Sequence, residues 1–166
     1  MPRLFVAAFP TPEIADVLAT IPADDSSGVR MVPPENWHVT LRFLGDADTA
    51  TVVERLRATA MPFAEAEMGP HLEHLGPRQV VAPVAGVDHL AASVTRATAD
   101  LGDPPRHSFR GHLTVARLRR GATSRLPGEP VGGRFPVDEI VLVESTLSDT
   151  GSRYEAVARF STVRAV

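Results

Sequence analysis

The chain contains no cysteine and no lysine; all 17 of its basic residues are arginines. The first absence removes disulfides, thiolate metal sites and cysteine nucleophiles. The second removes Schiff-base chemistry, a P-loop lysine on phosphate and any nucleotide carried on a lysine amine. Nowhere do apolar residues run unbroken for the roughly 18 positions that a membrane span needs. The opening Met1-Pro2-Arg3-Leu4-Phe5-Val6 has too short an apolar run for a secretory signal, so a cytoplasmic location is expected. A net charge of −3 argues against a protein that coats nucleic acid non-specifically, while arginines still gather locally at Arg117, Arg119, Arg120 and Arg125.

What is present is ordinary for a folded chain: 43% hydrophobic and 22% charged residues over 166 positions. That length predicts a single two-lobed domain over residues 1–166. Leu4 to Phe9 reads as a strand, and Thr11 with Pro12 opens a short helix striped by Ile14, Val17 and Leu18. Val29 to Val32 is extended, Pro33-Pro34 forces a loop, and Trp37 to Leu44 is a strand ending at Gly45. Asp48 or Thr49 caps a helix running to about Thr59. The pattern then begins again. Phe63 to Met68 and Gln79 to Val84 are strands, and Asp88 caps a helix carrying Leu90, Val94, Ala97 and Leu101 on one face. Leu113 to Leu118 is a strand, Arg120 to Arg134 a loop. Ile140 to Leu147 and Tyr154 to Phe160 form a hairpin about Ser148-Asp149-Thr150-Gly151. The expected architecture is α+β and bilobal. Two antiparallel sheets related by pseudo-two-fold symmetry line a central groove, with helices outside.

Two segments resemble each other, His38-Val39-Thr40-Leu41-Arg42-Phe43-Leu44 and His112-Leu113-Thr114-Val115-Ala116-Arg117-Leu118. A bare H-x-T is weak evidence in a chain with six histidines. The matched apolar second, fourth and seventh positions strengthen it. On a strand, residues i and i+2 share a face. His38, Thr40 and Arg42 then point one way and Val39 and Leu41 the other; His112 and Thr114 repeat this, with Arg117 out of phase and assigned to bracing structure or rim. A groove between two such faces would hold two imidazoles and two hydroxyls.

That set suits the opening of a cyclic phosphodiester by water. One neutral imidazole takes a proton from the attacking water, and the other, protonated, supplies one to the departing ribose oxygen. Threonine hydroxyls donate to non-bridging oxygens as charge builds, and Arg42 adds charge for phosphate binding. No metal and no cofactor is required. Symmetry alone leaves open which histidine plays which part.

Val32-Pro33-Pro34-Glu35-Asn36-Trp37-His38-Val39-Thr40-Leu41-Arg42-Phe43-Leu44-Gly45 resembles the first signature of the two-histidine phosphoesterase superfamily, within it the RNA 2',3'-cyclic phosphodiesterases, also called 2'-5' RNA ligases. Phe109-Arg110-Gly111-His112-Leu113-Thr114-Val115-Ala116-Arg117 resembles the second. Arg3 to Ala7, Val137 to Ser145 and Gly151 to Tyr154 extend the likeness over nearly the whole chain. The resemblance implies a V-shaped groove and conversion of a 2',3'-cyclic phosphate to a 2'-phosphomonoester. It also implies His38 as proton donor, His112 as proton acceptor, and Thr40 and Thr114 as phosphate holders. Where relatives often carry proline before the second histidine, Gly111 implies a more flexible approach.

His71 and His74 have an H-x-x-H spacing that no carboxylate or cysteine completes, and no metal is expected there. His89 is expected in solvent and His107 near the rim. Trp37 is expected to pack, and Tyr154 and Phe9 either to pack or to stack on a base. The expected partners are RNA ends or nucleotides bearing 2',3'-cyclic phosphate, with no membrane. Nothing forces assembly, and a monomer is expected. Two competing readings are a small cyclic phosphodiester substrate such as an ADP-ribose cyclic phosphate, and a non-catalytic module that binds RNA ends.

Overall fold

The computed structural model describes residues 2–165. In its first half, β1 (Arg3–Ala8) leads to α1 (Pro12–Ala19), a short β2 (Val29–Met31), β3 (Val39–Asp46) and α2 (Thr49–Ala58). The second half begins with β4 (Ala64–Met68), β5 (Glu73–His74), β6 (Gln79–Ala85) and α3 (Asp88–Ala97), and reaches β7 (His112–Leu118). Then come β8 (Gly133–Val137), β9 (Glu139–Ser148) and β10 (Gly151–Ser161).

The strands run in the order β10-β9-β1-β3-β7-β6-β4-β8, with β2 alongside β7 and β5 alongside β6. Strands β10, β9, β1 and β3 thus form one lobe and β7, β6, β4 and β8, with β2 and β5 beside them, the other; along this path the lobes join through one pair of β3 and β7, Val39 opposite Leu113. The α+β expectation holds; instead of two separate sheets, the strands form one open ten-stranded sheet whose two lobes meet at this narrow joint. Strand β1 is buried on both faces. Its Leu4, Val6 and Ala8 enter the main core under the helices, while Phe5 and Ala7 join Val141 and Val143 in a smaller apolar cluster on the opposite side. Helix α3 packs on β3, α1 beside β8, and α2 against α3 and β10. The face that carries the smaller cluster is the one left open to a groove.

Local sequence explains most boundaries. Asp48 caps α2, its carboxylate accepting from the Thr51 amide at 3.0 Å. Val87, not Asp88, is the N-cap of α3; Asp88 is its first residue, where its charge still favours the helix dipole. The strand read from Trp37 starts at Val39, so His38 stands just ahead of it. Strand β8 lies partly in the segment read as loop: Gly132 precedes it, Gly133 opens it and Pro136 interrupts its apolar pattern, which an edge strand tolerates. The loop before it is tied down by Asp24, 4% exposed, whose carboxylate accepts from the Ser26 amide, the Ser124 hydroxyl and the Arg125 amide. Among the described residues, no helix is long and apolar enough to cross a membrane.

Candidate active site

The joint between the halves builds the site. Continuing the Val39–Leu113 register by one residue each way sets His38 opposite Thr114 and Thr40 opposite His112. Val39 and Leu113 are fully buried, so their four neighbours share the other face. The Cα atoms of His38 and His112 then lie on a cross-strand diagonal of roughly 7–8 Å. Two hollows flank the joint. One, of about 240 Å³, takes His38 with Thr114; the other, of about 830 Å³, takes Thr40 with His112. Each hollow therefore joins the histidine of one motif to the threonine of the other. The structure brings His38, Thr40, His112 and Thr114 together.

Both rings are oriented by the same device. His38 Nδ1 donates to the Asn36 carbonyl at 2.7 Å, and His112 Nδ1 to the Arg110 carbonyl at 2.7 Å, in each case two residues back. A carbonyl only accepts, so Nδ1 carries the proton and Nε2 is the atom free to exchange one. Their surroundings differ. His38 Nε2 lies 2.9 Å from Thr40 Oγ1, and the ring sits 4.9 Å from Phe5, 5.3 Å from Tyr154 and 6.0 Å from Phe9. Burial pushes the His38 ring below the ordinary histidine range; Arg117 and His112 add to the shift, and the Asn36 carbonyl opposes it. His112 is the more open ring, and its partner Thr114 donates to Gln79 Oε1 at 3.1 Å.

Arg42 corrects the sequence reading. It is 4% exposed, and its guanidinium donates to the carbonyls of Phe43, Thr98, Leu101 and Asp103 and to Thr98 Oγ1. Four of the five N–H groups are committed to the end of α3 and the turn after it and the fifth to the Phe43 carbonyl on β3, so none remains for phosphate. The cause is a β-bulge. Val6 pairs with Arg42 and Ala7 with Thr40, leaving Leu41 as an extra residue that shifts Arg42 and Phe43 by one, before a second irregularity at Leu44. Strand β7 repeats the bulge at Val115, between the pairs Val80–Ala116 and Val81–Thr114. There the shift turns Arg117, expected out of phase, to the cleft face. Arg117 is exposed and lines the hollow of His38, beside Arg30, Asn36 and Tyr154.

Sequence reasoning missed Arg30, Asn36, Gln79 and Phe5. Asn36 and Phe5 lie inside segments that carry the family resemblance, whereas Arg30 and Gln79 are tied to the site only through the β2–β7 pairing with Arg117 and the bond to Thr114. Asn36 also ties the β9–β10 hairpin to the site, its Nδ2 donating to the Ser152 carbonyl at 3.2 Å. Trp37 packs, at 8% exposure, and Tyr154 packs edge-on to Phe5 and His38. His71 and His74 lie apart from the joint, bridged to Pro130 and Val80 respectively. Gly111 is not a loose approach. Its carbonyl accepts from the Val84 amide at 2.9 Å, and a Cβ there would stand 2.2 Å from the Val84 carbonyl oxygen.

Residues 8–69 match the profile of the family described as LigT like Phosphoesterase. An RNA 2',3'-cyclic phosphodiesterase of Archaeoglobus fulgidus is 36% identical over 95% of this chain and 99% of its own length. One from Geobacillus stearothermophilus is 31% identical over 94% of this chain, which spans 56% of that longer protein. The crystal structure of TT0787 of Thermus thermophilus shares the fold with a TM-score of 0.79 at 24% identity, over 96% of this chain and 97% of the other. That of E. coli LigT complexed with 3'-AMP does so with a TM-score of 0.73 at 22% identity, over 97% and 98%.

Proposed function

The chain belongs to the LigT-like phosphoesterases, and from that premise we propose that it is an RNA 2',3'-cyclic phosphodiesterase working through His38 and His112 without a metal. Water attacks phosphorus, giving its proton to one Nε2. The bond from phosphorus to the 3' oxygen breaks, and that oxygen takes a proton from the other Nε2. A 2'-phosphomonoester is left. Thr40 and Thr114 hydroxyls, with the Arg117 guanidinium, hold the non-bridging oxygens as charge gathers on them. The observation that carries this reading is the Val39–Leu113 joint, which sets a histidine across from a threonine on either side of one cleft.

The resemblance gives His38 the donor role. In the free protein burial and Arg117 favour its neutral form, and a bound phosphate brings the negative charge that restores its proton. A leaving group that needs no proton separates donor from acceptor. On a p-nitrophenyl phosphodiester, the variant that lacks the donor recovers activity and the variant that lacks the acceptor does not. His38→Ala is expected to be the one that recovers. The reading itself is tested by incubating a 2',3'-cyclic nucleotide with the protein in EDTA and identifying the product by 31P NMR. The 2'-phosphate is expected. Exclusive 3'-phosphate, or an unchanged cyclic ester, contradicts the proposal.

A further inference from the structure

The cleft continues past His38. A third hollow, of about 670 Å³, is walled by Arg30, Arg78, Arg117, Arg119 and Arg120. Arg30 and Arg117 also line the hollow that holds His38 and Thr114, so the two spaces share a wall and the basic one leads away from the phosphate site along the end of β7. All five side chains are exposed. Among the described residues none of the five has a carboxylate within 4.0 Å, whereas Arg55, Arg110, Arg125, Arg134, Arg159 and Arg164 do. Arg3, Arg57, Arg96, Arg106 and Arg153 also lack such a partner, but the hollow of His112 counts Asp88 and Asp103 among its lining, whereas this one has five arginines and no carboxylate in its wall.

Their placement is ordered by the backbone. Arg30 and Arg117 are direct cross-strand partners, a position in which like charges repel. Arg119 follows two residues after Arg117, and its amide donates to the Gly28 carbonyl at 2.8 Å, which continues the ladder and keeps both side chains on one face, about 6.6 Å apart along the strand. The Leu118 amide donates to the Arg78 carbonyl at 2.8 Å and brings Arg78 alongside. No internal ion pair uses this row. A row of unpaired guanidiniums at strand spacing suits an extended polyanion whose charges repeat along a backbone.

We propose that this hollow is a track for the backbone phosphates of the RNA on the 5' side of the terminal cyclic phosphate, with Arg78, Arg119 and Arg120 as its outer contacts. The inference rests on the cyclic phosphodiesterase reading of the site. It makes an oligonucleotide, rather than a cyclic mononucleotide, the preferred substrate.

The test compares 2',3'-cyclic CMP with a hexanucleotide ending in a 2',3'-cyclic phosphate. The unaltered chain is expected to have the higher kcat/KM on the hexanucleotide. The combined variant Arg78→Ala, Arg119→Ala, Arg120→Ala loses about 10- to 100-fold in kcat/KM on the hexanucleotide, chiefly through KM, and nothing on the mononucleotide. The slope of log kcat/KM against log salt on the hexanucleotide becomes shallower by about 2, at roughly 0.7 for each phosphate no longer neutralised. The corresponding triple lysine variant restores most of the loss. An equal fall on both substrates, or no fall on either, overturns the track while leaving the site reading intact. Failure of the unaltered chain to open either substrate overturns the site reading instead.

Discussion

The two half-sites are copies in backbone and strangers in side chains. Each has a histidine whose Nδ1 is held by the carbonyl two residues back, a buried apolar residue, a threonine on the cleft face, and a bulge one residue later. Even the burial sequence from Val39 to Leu44 repeats from Leu113 to Leu118. Yet His38 lies among Phe5, Phe9 and Tyr154 with its Nε2 bonded to Thr40, whereas His112 has no such aromatic surround and Thr114 is turned to Gln79. Past the bulge, the first strand buries Arg42 and exposes Phe43; the second buries Ala116 and exposes Arg117. Backbone geometry can be duplicated to bracket one phosphorus atom, but acid and base need unlike environments. The side chains around the copies supply the difference.

The largest expected effect comes from removing either ring. His38→Ala and His112→Ala each lower kcat on a 2',3'-cyclic nucleotide by about 10²- to 10⁴-fold, and the double variant is scarcely worse than either, as expected of groups acting as one unit. Steady-state assays on the three proteins check this; multiplicative losses would mean that the rings act separately.

Arg42 and Arg117 break the comparison in a second way. Arg42→Ala empties a buried position and orphans the carbonyls of Thr98, Leu101 and Asp103, so it costs about 2–4 kcal/mol in urea unfolding and leaves the activity per folded molecule nearly intact. Arg117→Ala costs under about 0.5 kcal/mol of stability and lowers kcat/KM about 10- to 100-fold. Opposite results would restore the unbulged reading of the strands. Gly111→Ala forces a Cβ against the Val84 carbonyl and shifts the approach to His112. A loss of about 1–3 kcal/mol is expected, together with a fall in kcat.

Smaller effects concern protons. NMR titration should find His38 changing charge below the ordinary histidine value, and Arg117→Gln should raise it by removing a nearby positive charge. The lower of the two apparent pKa values sets the acid limb of the kcat/KM profile in either role, so that limb should move with Arg117→Gln, while the p-nitrophenyl comparison, not the limb, separates donor from acceptor. The same shift affects stability. A histidine with a depressed folded pKa binds fewer protons folded than unfolded. Its contribution is therefore unchanged above the unfolded value of about 6.5 and is lost as pH falls through it, levelling off below the folded value. Urea unfolding from pH 7 to pH 5 should show a weaker acid dependence in His38→Gln than in the unaltered chain.

The alternation of helices and strands and the two H-x-T segments were legible because the polar residues of the site interrupt otherwise apolar strands. Facing was legible only as far as the first bulge. Counting in twos from His38 puts Arg42 in the cleft, and counting from His112 keeps Arg117 out; an extra residue at Leu41 and Val115 reverses both. Nothing in the local sequence marks those bulges, because Leu41 and Val115 are buried in either register. Gly111 misled differently. Its missing side chain suggested freedom, but the structure uses it for a close approach to Val84. Gln79 reaches Thr114 from another strand, and the Ser152 carbonyl that Asn36 meets lies on the distant hairpin, so these contacts depend on pairings that only the assembled sheet defines.

The central claim is that one phosphorus atom lies between His38 and His112 across the joint of the two lobes. A crystal structure with uridine vanadate, a mimic of the five-coordinate transition state, tests it most directly. Both Nε2 atoms should lie within about 2.6–3.2 Å of opposite apical oxygens of the vanadium centre. Vanadate held by a single imidazole, or both rings against the same oxygen, would contradict it.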